Sequence, residues 1–427
     1  MSEREVDVII FGATGFTGKN TVLKAVDLLK DFKWGIAGRS QEKLEKVLAE
    51  VGKKCETDLS KTPIFIAKLD DDESLKAMAS KCKVLINCVG PYRLYGEPVV
   101  KACIEAGTHQ VDVTGEPQWM ERMALEYNEK AKEKGSFIVS ACGFDSVPAD
   151  MGVVYLERHF EGTVNSVEQY FQPITKGAKG PTVHYGTWAS LVHGVTHWSE
   201  LAPLRKKLYP TKLPKFEPVL KDRGILHKSD LVNKWCLPFL GADKSVIYRS
   251  QRYFYETEKK RPVQIKSYVT MPSMLGAFAM MAFGILIGLL TRFSFGRYLL
   301  LTYPGFFSFG TVSKEDLAEE DINKCHFVMH FKGQGWTEKL AEGIDEYTTK
   351  PDKDIYVRVK AENIGYGATC VALVLCAKML MTEKPKLPKE SGVFTPAAVF
   401  AKTTLIEQLS KNGWTFEVVG AKEETKE

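Results

Sequence analysis

Three glycines stand at positions 12, 15 and 18 in Gly12-Ala-Thr14-Gly15-Phe16-Thr17-Gly18, directly after the β-branched run Val6-Asp-Val-Ile-Ile-Phe11. Between a strand and a helix, this spacing makes a phosphate cradle. The first glycine permits the turn, the second lets backbone approach a pyrophosphate, and the third lets the helix pack near the sheet. The N–H groups and partial positive charge of the helix start then face the phosphates. The chemistry implied is dinucleotide binding. The second strand ends in Ala37-Gly-Arg39-Ser40, with Lys43 one turn on. A chain that binds NAD usually ends this strand in a carboxylate, for the ribose 2′-hydroxyl. A guanidinium stands there instead, and its charge and forked donors suit a 2′-phosphate. The expected cofactor is therefore NADP(H) in preference to NAD(H). Ser40 either donates to the same phosphate or caps the helix that starts at Gln41. Asp70, ending the third strand, either accepts from the adenine amine or caps the next helix. Asn87-Cys-Val89-Gly90-Pro91-Tyr92 ends the fourth strand, where nicotinamide-side ligands lie in such sheets.

Hydride transfer also needs a proton donor. Tyr92 and Tyr95 follow the fourth strand, and Asp145 follows the sixth in Cys142-Gly-Phe-Asp145-Ser-Val-Pro148. These three are the catalytic candidates, and each has a plainer role open to it. Tyr92 can stack on the cofactor, and Asp145 can hold a hinge between domains. Glu97 and Glu116 also fall near strand ends, with Glu97 reading as the cap of a helix that begins at Pro98. Cys142 reads as a buried thiol. Thr187 and Trp188 can line a substrate pocket, with core packing the safer reading of Trp188. No Tyr-x-x-x-Lys pair stands where a short-chain dehydrogenase would place one. The nine cysteines are scattered without a CxxC pair. That pattern fits reduced thiols and no metal site.

The elements that must hold these residues alternate strictly. Strands are expected at 6–11, 34–37, 64–67, 83–87, 109–113 and 137–140. Helices are expected at 18–30, 41–51, 74–79, 98–106 and 120–134. This is the signature of an α/β doubly wound parallel sheet, over 1–145. From 146 to 362 strands dominate, at 164–171, 246–254, 263–270, 325–332 and 355–361. They predict an α+β substrate or dimerisation domain of antiparallel strands, with 198–240 as a surface excursion. A C-terminal segment, 363–420, contains an apolar helix at 367–381 and is expected to pack back on the first domain. The tail, 421–427, is charged and expected to be disordered. A length of 427 residues accommodates two domains, and a net charge of +5 gives no reason to expect nucleic acid as a partner. The N-terminus shows no secretory pattern, so a cytosolic setting is expected.

Several long motifs together resemble the saccharopine dehydrogenase-like oxidoreductases, an animal branch in particular. They are Gly12–Gly18, Ala37–Ser40, Asn87–Pro98, Ser140–Asp150, Gly186-Thr-Trp188 and Gly392-Val-Phe-Thr-Pro396. The resemblance covers nearly the whole chain. It implies an N-terminal Rossmann domain, a second domain inserted in sequence, and a C-terminal segment that returns to the first. It extends to bacterial proteins similar to trans-acting enoyl reductases of lipid biosynthesis.

From Ser267 to Thr291 no residue is charged, and a second apolar, aromatic stretch runs from Tyr298 to Phe309. Its length approaches that of a membrane span. A span would separate two ends that the resemblance packs together. The expectation is therefore one-sided insertion of 272–310 into a membrane or lipid-droplet surface from the cytoplasmic face. A buried core helix and a homodimer interface are the alternatives. The leading function is an NADP(H)-dependent oxidoreductase acting on a lipid-like enoyl or carbonyl group. The alternatives are a non-catalytic cofactor-binding scaffold and an amino-acid dehydrogenase. The last would need an arginine cluster, for which Arg93, Arg249 and Arg252 are the candidates.

Overall fold

The computed structural model describes residues 4–144, 146–341 and 343–420. Asp145 and the tail 421–427 lie outside the described residues. Six strands, β1 (Val6–Phe11), β2 (Trp34–Gly38), β3 (Ile64–Ile66), β4 (Cys82–Asn87), β5 (His109–Asp112) and β6 (Phe137–Val139), alternate with α1 (Phe16–Leu28), α2 (Gln41–Cys55), α3 (Asp72–Ser80), α4 (Tyr92–Ala106) and α5 (Pro117–Lys134). The strands run parallel in the order β6-β5-β4-β1-β2-β3, so the order reverses between β1 and β4. Helices cover both faces, which is why β1 and β4 are nearly continuous apolar runs. α2 shows the usual logic of such a helix. Leu44, Val47, Leu48 and Val51 form one buried stripe, and Glu56 ends the helix in the left-handed region.

α4 begins at Tyr92, not at Pro98 as expected. The carboxylate of Glu116 explains the difference: it accepts the Tyr92 and Arg93 N–H groups, each at 2.9 Å. A remote cap was invisible in the local pattern, and Pro98 is carried inside the helix. Glu97 is therefore no cap. It pairs with Arg122 at 3.0 Å and accepts the Tyr127 hydroxyl at 2.8 Å.

After α6 (Val147–His159) a second, mixed sheet is built from β7 (Thr163–Thr175), β9 (His227–Ser229), β10 (Lys234–Pro238), β11 (Gln264–Met271), β13 (Cys325–Trp336), β14 (Lys353–Glu362) and β16 (Trp414–Val418). Its order is β16-β14-β13-β7-β11-β10-β9. β7 and β11 pair parallel, so the expectation of antiparallel strands throughout is corrected. Residues 246–254, expected as a strand, lie in helix α9 (Asp243–Glu258). Val246, Ile247, Ser250, Gln251 and Phe254 are its buried side, a helical stripe that the Tyr- and Phe-rich composition disguised. The 198–240 excursion supplies α8 (Leu201–Leu208) and the last two strands of the sheet, β10 and the edge strand β9, and so belongs partly to the sheet.

Between the sheets' edges lie a two-stranded ribbon, β8 (Val183–His184) with β12 (Val312–Ser313), and helix α7 (Tyr185–Thr196). The hairpin α10 (Met274–Thr291), α11 (Ser294–Thr302) and α12 (Pro304–Phe307) packs on α7, and α13 (Glu319–Ile322) follows. The final segment contributes α14 (Thr369–Thr382), β15 (Gly392–Phe394), α15 (Pro396–Phe400) and α16 (Leu405–Lys411). α14 and β15 join the first sheet, β15 by pairing with β6, while β16 completes the second sheet. The closing segment thus divides between both sheets.

Asp150, in α6, fastens three segments where they meet. Its Oδ2 accepts the Ser250 hydroxyl and the Ala397 N–H, both at 2.8 Å. Burial, opposed by those hydrogen bonds, pushes its carboxyl up to about 7. A carboxyl with a raised folded-state value stabilises most below its unfolded value near 4 and loses that contribution as pH rises through 7. Asp150→Asn keeps an acceptor without the charge. The stability gap between variant and wild type, from denaturant unfolding, is expected to shift toward the variant between pH 4 and 7.5, by about a few kcal/mol. A pH-independent gap would show that Asp150 does not titrate there.

Candidate cofactor and active site

The glycine loop has the form that a pyrophosphate needs. Gly12 sits at φ +81°, and a Cβ there would lie 2.7 Å from Val89 Cγ2. A Cβ on Gly18 would fall 2.0 Å from the Gly12 carbonyl oxygen. A Cβ on Gly15 would meet only that oxygen, at 3.4 Å, so the space before it is open on the ligand side. α1 has no side-chain cap, and Thr14 and Gly15 are exposed, which leaves the helix start available to an anion. Phe16 and Gly18 turn inward, and the Thr17 carbonyl accepts the Thr21 hydroxyl at 2.8 Å.

At the end of β2, Arg39 is exposed and has no ion-pair partner among the described residues, and Lys43 is exposed beside it. The Ser40 hydroxyl accepts the Lys43 N–H at 3.5 Å, which makes Ser40 a helix cap. Asp70 is exposed, but it is not the cap of α3. Asp71 is, through a 3.1 Å bond from the Ser74 N–H. At the end of β4, Asn87 Oδ1 accepts the Val89 N–H at 3.0 Å, while its buried Nδ2 has no partner. A buried donor left open at the topological switch point fits an acceptor brought by a ligand.

Gly90, exposed, and Pro91 then turn the chain into α4, and here the tyrosines separate. Tyr92 is 5% exposed. Its hydroxyl donates to the Asn87 carbonyl at 2.8 Å and accepts the Val113 N–H at 3.2 Å. Its ring rests on Trp119. Burial pushes its phenol well above the ordinary value. Tyr92 therefore ties β4 to β5 and serves neither as the acid nor as a stacking platform. Glu116 is likewise consumed: besides capping α4 it accepts the Ser190 hydroxyl at 2.8 Å. Asp112, raised by burial to about 6, accepts from Ser140, Gln110 and the Thr114 and Ala141 N–H groups. Tyr95, one turn along α4, is exposed, and its hydroxyl has no partner among the described residues.

The ribbon strand β8 and the turn before α14 both pack on the loop. The Phe16 ring stacks on His184, with centroids 5.2 Å apart, and meets Tyr366 edge-on at 4.4 Å. The Tyr366 hydroxyl accepts the His184 N–H at 2.8 Å. Burial holds the His184 imidazole below its ordinary value, hence neutral. The next residue, Tyr185, opens α7. It is half-buried, lies near Tyr95, and has the Lys314 ammonium 5.1 Å from its ring centre. Sequence reasoning missed His184, Tyr185 and Tyr366. The available signal was position: His184-Tyr185 directly precede the Gly186-Thr-Trp188 motif.

The remaining candidates disperse. Asp145 lies outside the described residues; beside it, the Phe144 N–H donates to Thr369 Oγ1 at 3.1 Å. Cys142 is buried. Thr187 is exposed next to Tyr366, and Trp188 is core, its indole N–H donating to the Leu300 carbonyl at 2.8 Å. Arg93 is held by Glu200 in a two-bonded pair at 2.8 and 2.9 Å, Arg252 by Glu256 at 2.7 Å, and Arg249 lies beside Asp150. No arginine cluster for a polycarboxylate forms from them. No group of metal-ligating side chains occurs among the described residues.

Residues 8–139 match the family model of the saccharopine dehydrogenase NADP binding domain. The chain is 40% identical over 429 residues to a human saccharopine dehydrogenase-like oxidoreductase, covering 99% of each. It is 35% identical to a Caenorhabditis elegans lipid droplet localized protein, covering 96% of this chain and 98% of that one. It is 28% identical to a putative trans-acting enoyl reductase of Mycobacterium tuberculosis, covering 96% of each. Among solved structures it is similar in fold to the apo saccharopine dehydrogenase (L-Glu forming) of Saccharomyces cerevisiae. There the TM-score is 0.54 at 13% identity, over 97% of this chain and 100% of that one.

The position of Arg39 sets a direct test. Arg39→Ala is expected to weaken NADPH binding by about ten- to a hundredfold, the worth of a charge-assisted pair, and to leave NADH within about twofold. Calorimetric titration of both nucleotides reads the difference. An equal loss for both would place Arg39 away from the 2′-phosphate.

Proposed function

Because the chain belongs to the saccharopine dehydrogenase-like oxidoreductase family, we propose that it is an NADP(H)-dependent reductase of lipid-like substrates. The group reduced is an enoyl or carbonyl function, and the reaction takes place at a membrane or lipid-droplet surface. NADPH supplies the hydride when bound. The glycine loop and α1 hold its pyrophosphate, Arg39 and Lys43 its 2′-phosphate, and Val89-Gly90-Pro91 border its nicotinamide end.

The observation that carries this reading is α7. Its first turn holds His184 and Tyr185 against the cofactor loop and Tyr95. Its flank packs Trp188 and Val192 against Ile287 and Leu300 of the apolar hairpin. That hairpin is lipid-like in composition and open to the outside. α10 is 17% buried, whereas the other long apolar helix, Ile364–Thr382, is 72% buried. Leu275, Ile285, Phe295, Phe306 and Phe309 are among its exposed side chains. A core helix is not exposed in this way, and a surface of this size marks an interaction site. One helix thus joins a lipid-facing surface to the cofactor, which favours a substrate drawn from lipid. The worm relative's name and the mycobacterial relative's name support the same direction.

Reduction of a polarised double bond also requires a proton at the atom that gains negative charge. With Tyr92, Asp112 and Glu116 committed to the scaffold, Tyr95 and Tyr185 are the phenols at the cofactor's open side. Burial first, and Tyr95 second, push the Tyr185 phenol up, so it stays protonated at neutral pH, the form a donor needs. Tyr185 is the donor in this reading, and Tyr95 orients the substrate.

Two measurements test the proposal. NADPH oxidation against a panel of enoyl and keto acyl thioesters and isoprenoid aldehydes is expected to show turnover. Tyr185→Phe is expected to lower kcat by about a hundredfold with unchanged NADPH affinity, and Tyr95→Phe to raise KM more than it lowers kcat. NADPH binding without turnover on any class would favour the scaffold alternative. Separately, wild-type protein is expected to float with artificial lipid droplets, and Leu275→Asp/Phe278→Asp to stay in the soluble fraction. Identical flotation of both proteins would remove the hairpin as the anchor.

A further inference from the structure

The apolar hairpin has a charged margin of one sign. Between Glu258 and Glu315 the sequence contains no carboxylate, but it contains Lys259, Lys260, Arg261, Lys266, Arg292, Arg297 and Lys314. Two of these are neutralised, Lys260 by Glu157 and Lys266 by Asp222, as are Arg223 by Glu168 and Arg205 by Glu121 elsewhere in the second unit. The cations that border the hairpin itself stand unpaired. Arg292, Arg297, Lys314 and Lys228 have no carboxylate partner among the described residues.

Their placement follows from the fold. Arg292 caps α10 at its far end, exposed between Thr291 and the exposed rings of Phe293 and Phe295. Arg297 is held one turn on, its guanidinium donating to the Thr291 carbonyl at 2.9 Å. Lys314 donates to the Thr302 carbonyl at 3.0 Å, where the hairpin rejoins the body, and the carboxylates of Glu315 and Asp316 come after it. At the near end of α10, Lys228 of β9 stands directly across from Trp235 of β10. Directly opposed residues share one face of a sheet. Trp235 packs with Leu237, Met271 and Ala277, so this face is the one that carries α10. Lys228 therefore borders the hairpin at one end as Arg292 does at the other. Ile225 and Leu226 bring further apolar surface to the Lys228 end, and Tyr298 and Tyr303 add exposed aromatic rings along the hairpin. Apolar residues framed by tyrosines and unpaired cations match the layering of a lipid interface, with acyl chains below and phosphates above.

The geometry points to a lipid surface carrying acidic phospholipid headgroups as the occupant of this face, with Lys228, Arg292, Arg297 and Lys314 reading the negative charge. This inference rests on the proposed attachment of the hairpin to lipid and adds the class of lipid that attachment selects. The apolar residues supply attachment to any lipid surface, and the cations supply the preference.

Flotation of the full chain with vesicles separates the two. Vesicles of phosphatidylcholine alone are compared with vesicles containing about a third phosphatidylserine. Wild-type protein is expected to bind both, and the acidic vesicles about a thousandfold more tightly, from roughly one kcal/mol for each of the four cations near a negative surface and a factor of ten per 1.4 kcal/mol. Half-molar salt is expected to abolish the difference and leave the neutral binding. Lys228→Gln/Arg292→Gln is expected to bind neutral vesicles as wild type does while losing most of the acidic preference. Equal binding of wild type to both vesicles, or an undiminished preference in the variant, overturns the inference and leaves attachment standing. Binding to neither vesicle overturns attachment itself, and a stable dimer in that case identifies a second copy of the chain as the occupant.

Discussion

The structure depends on burying α14. Eleven of its residues, Thr369 to Leu380 without Lys378, are buried, and no polar stripe runs along it. A helix that is apolar on every side is stable only when enclosed. Each buried Leu or Val contributes roughly 1.5–3 kcal/mol, so leaving this helix uncovered would cost more than a typical domain's net stability. It is enclosed by lying on α1, β4 and β5 of the first sheet, with α16 on another side. The Cys370 thiol reaches the Thr17 carbonyl at 3.6 Å, and Lys378 reaches the Leu28 carbonyl at 3.2 Å, so α14 grips α1 near both ends. The glycine loop is therefore backed by a helix from the last sixth of the chain. The turn that leads into α14 carries Tyr366 to the Phe16 ring. Cofactor binding and the joining of the two units are consequences of one packing event.

α10 has nearly the same composition as α14 and the opposite surroundings. Neither helix reveals its fate through periodicity, because both are apolar throughout. What differs is the supply of neighbours. α14 meets a sheet face that needs a cover, whereas α10 finds only α7, α11 and the ends of β10 and β11. Its contacts are made through Ala277, Met281, Phe283, Ile287 and Leu290, and most of the rest of its surface is exposed. α14 therefore bears on folding, and the open face of α10 is what the proposed function draws on.

The same distinction governs what was legible in the sequence. The first sheet was readable because each βα unit carries its own period and its own punctuation, and the glycine loop is a local motif with local causes. Local reasoning failed where a distant group did the work. The start of α4 is set by Glu116, twenty-four residues away, and no pattern around Tyr92 announces it. The same distant contacts removed Tyr92 from the chemistry, since its hydroxyl is spent between β4 and β5. Residues 246–254 were misread because Val, Tyr and Phe favour strands by composition, while the spacing of Val246, Ser250 and Phe254 is helical. Tyr185 went unnoticed because its interest comes from lying near Tyr95, a relation between residues ninety positions apart. The excursion at 198–240 looked like surface because its lysines hide the two short strands that extend the second sheet.

Glu116 shows how closely the apolar hairpin and the cofactor loop are coupled. One carboxylate fixes the first turn of α4, and with it the Gly90-Pro91 corner, while also holding Ser190 in the middle of α7. Arg93, the next residue of α4, repeats the connection through Glu200 beyond the other end of α7. α7 spans twelve residues, about 18 Å of helix. Within that length it touches the cofactor loop through His184, the switch-point corner through Ser190, and the hairpin through Trp188 and Val192. A helix pinned at three points moves as a rigid body or not at all. A displacement of the hairpin would therefore carry α7, and with it Tyr185, relative to Tyr95, and a displacement of Tyr185 would carry the hairpin. Linkage requires these two influences to be equal in free energy.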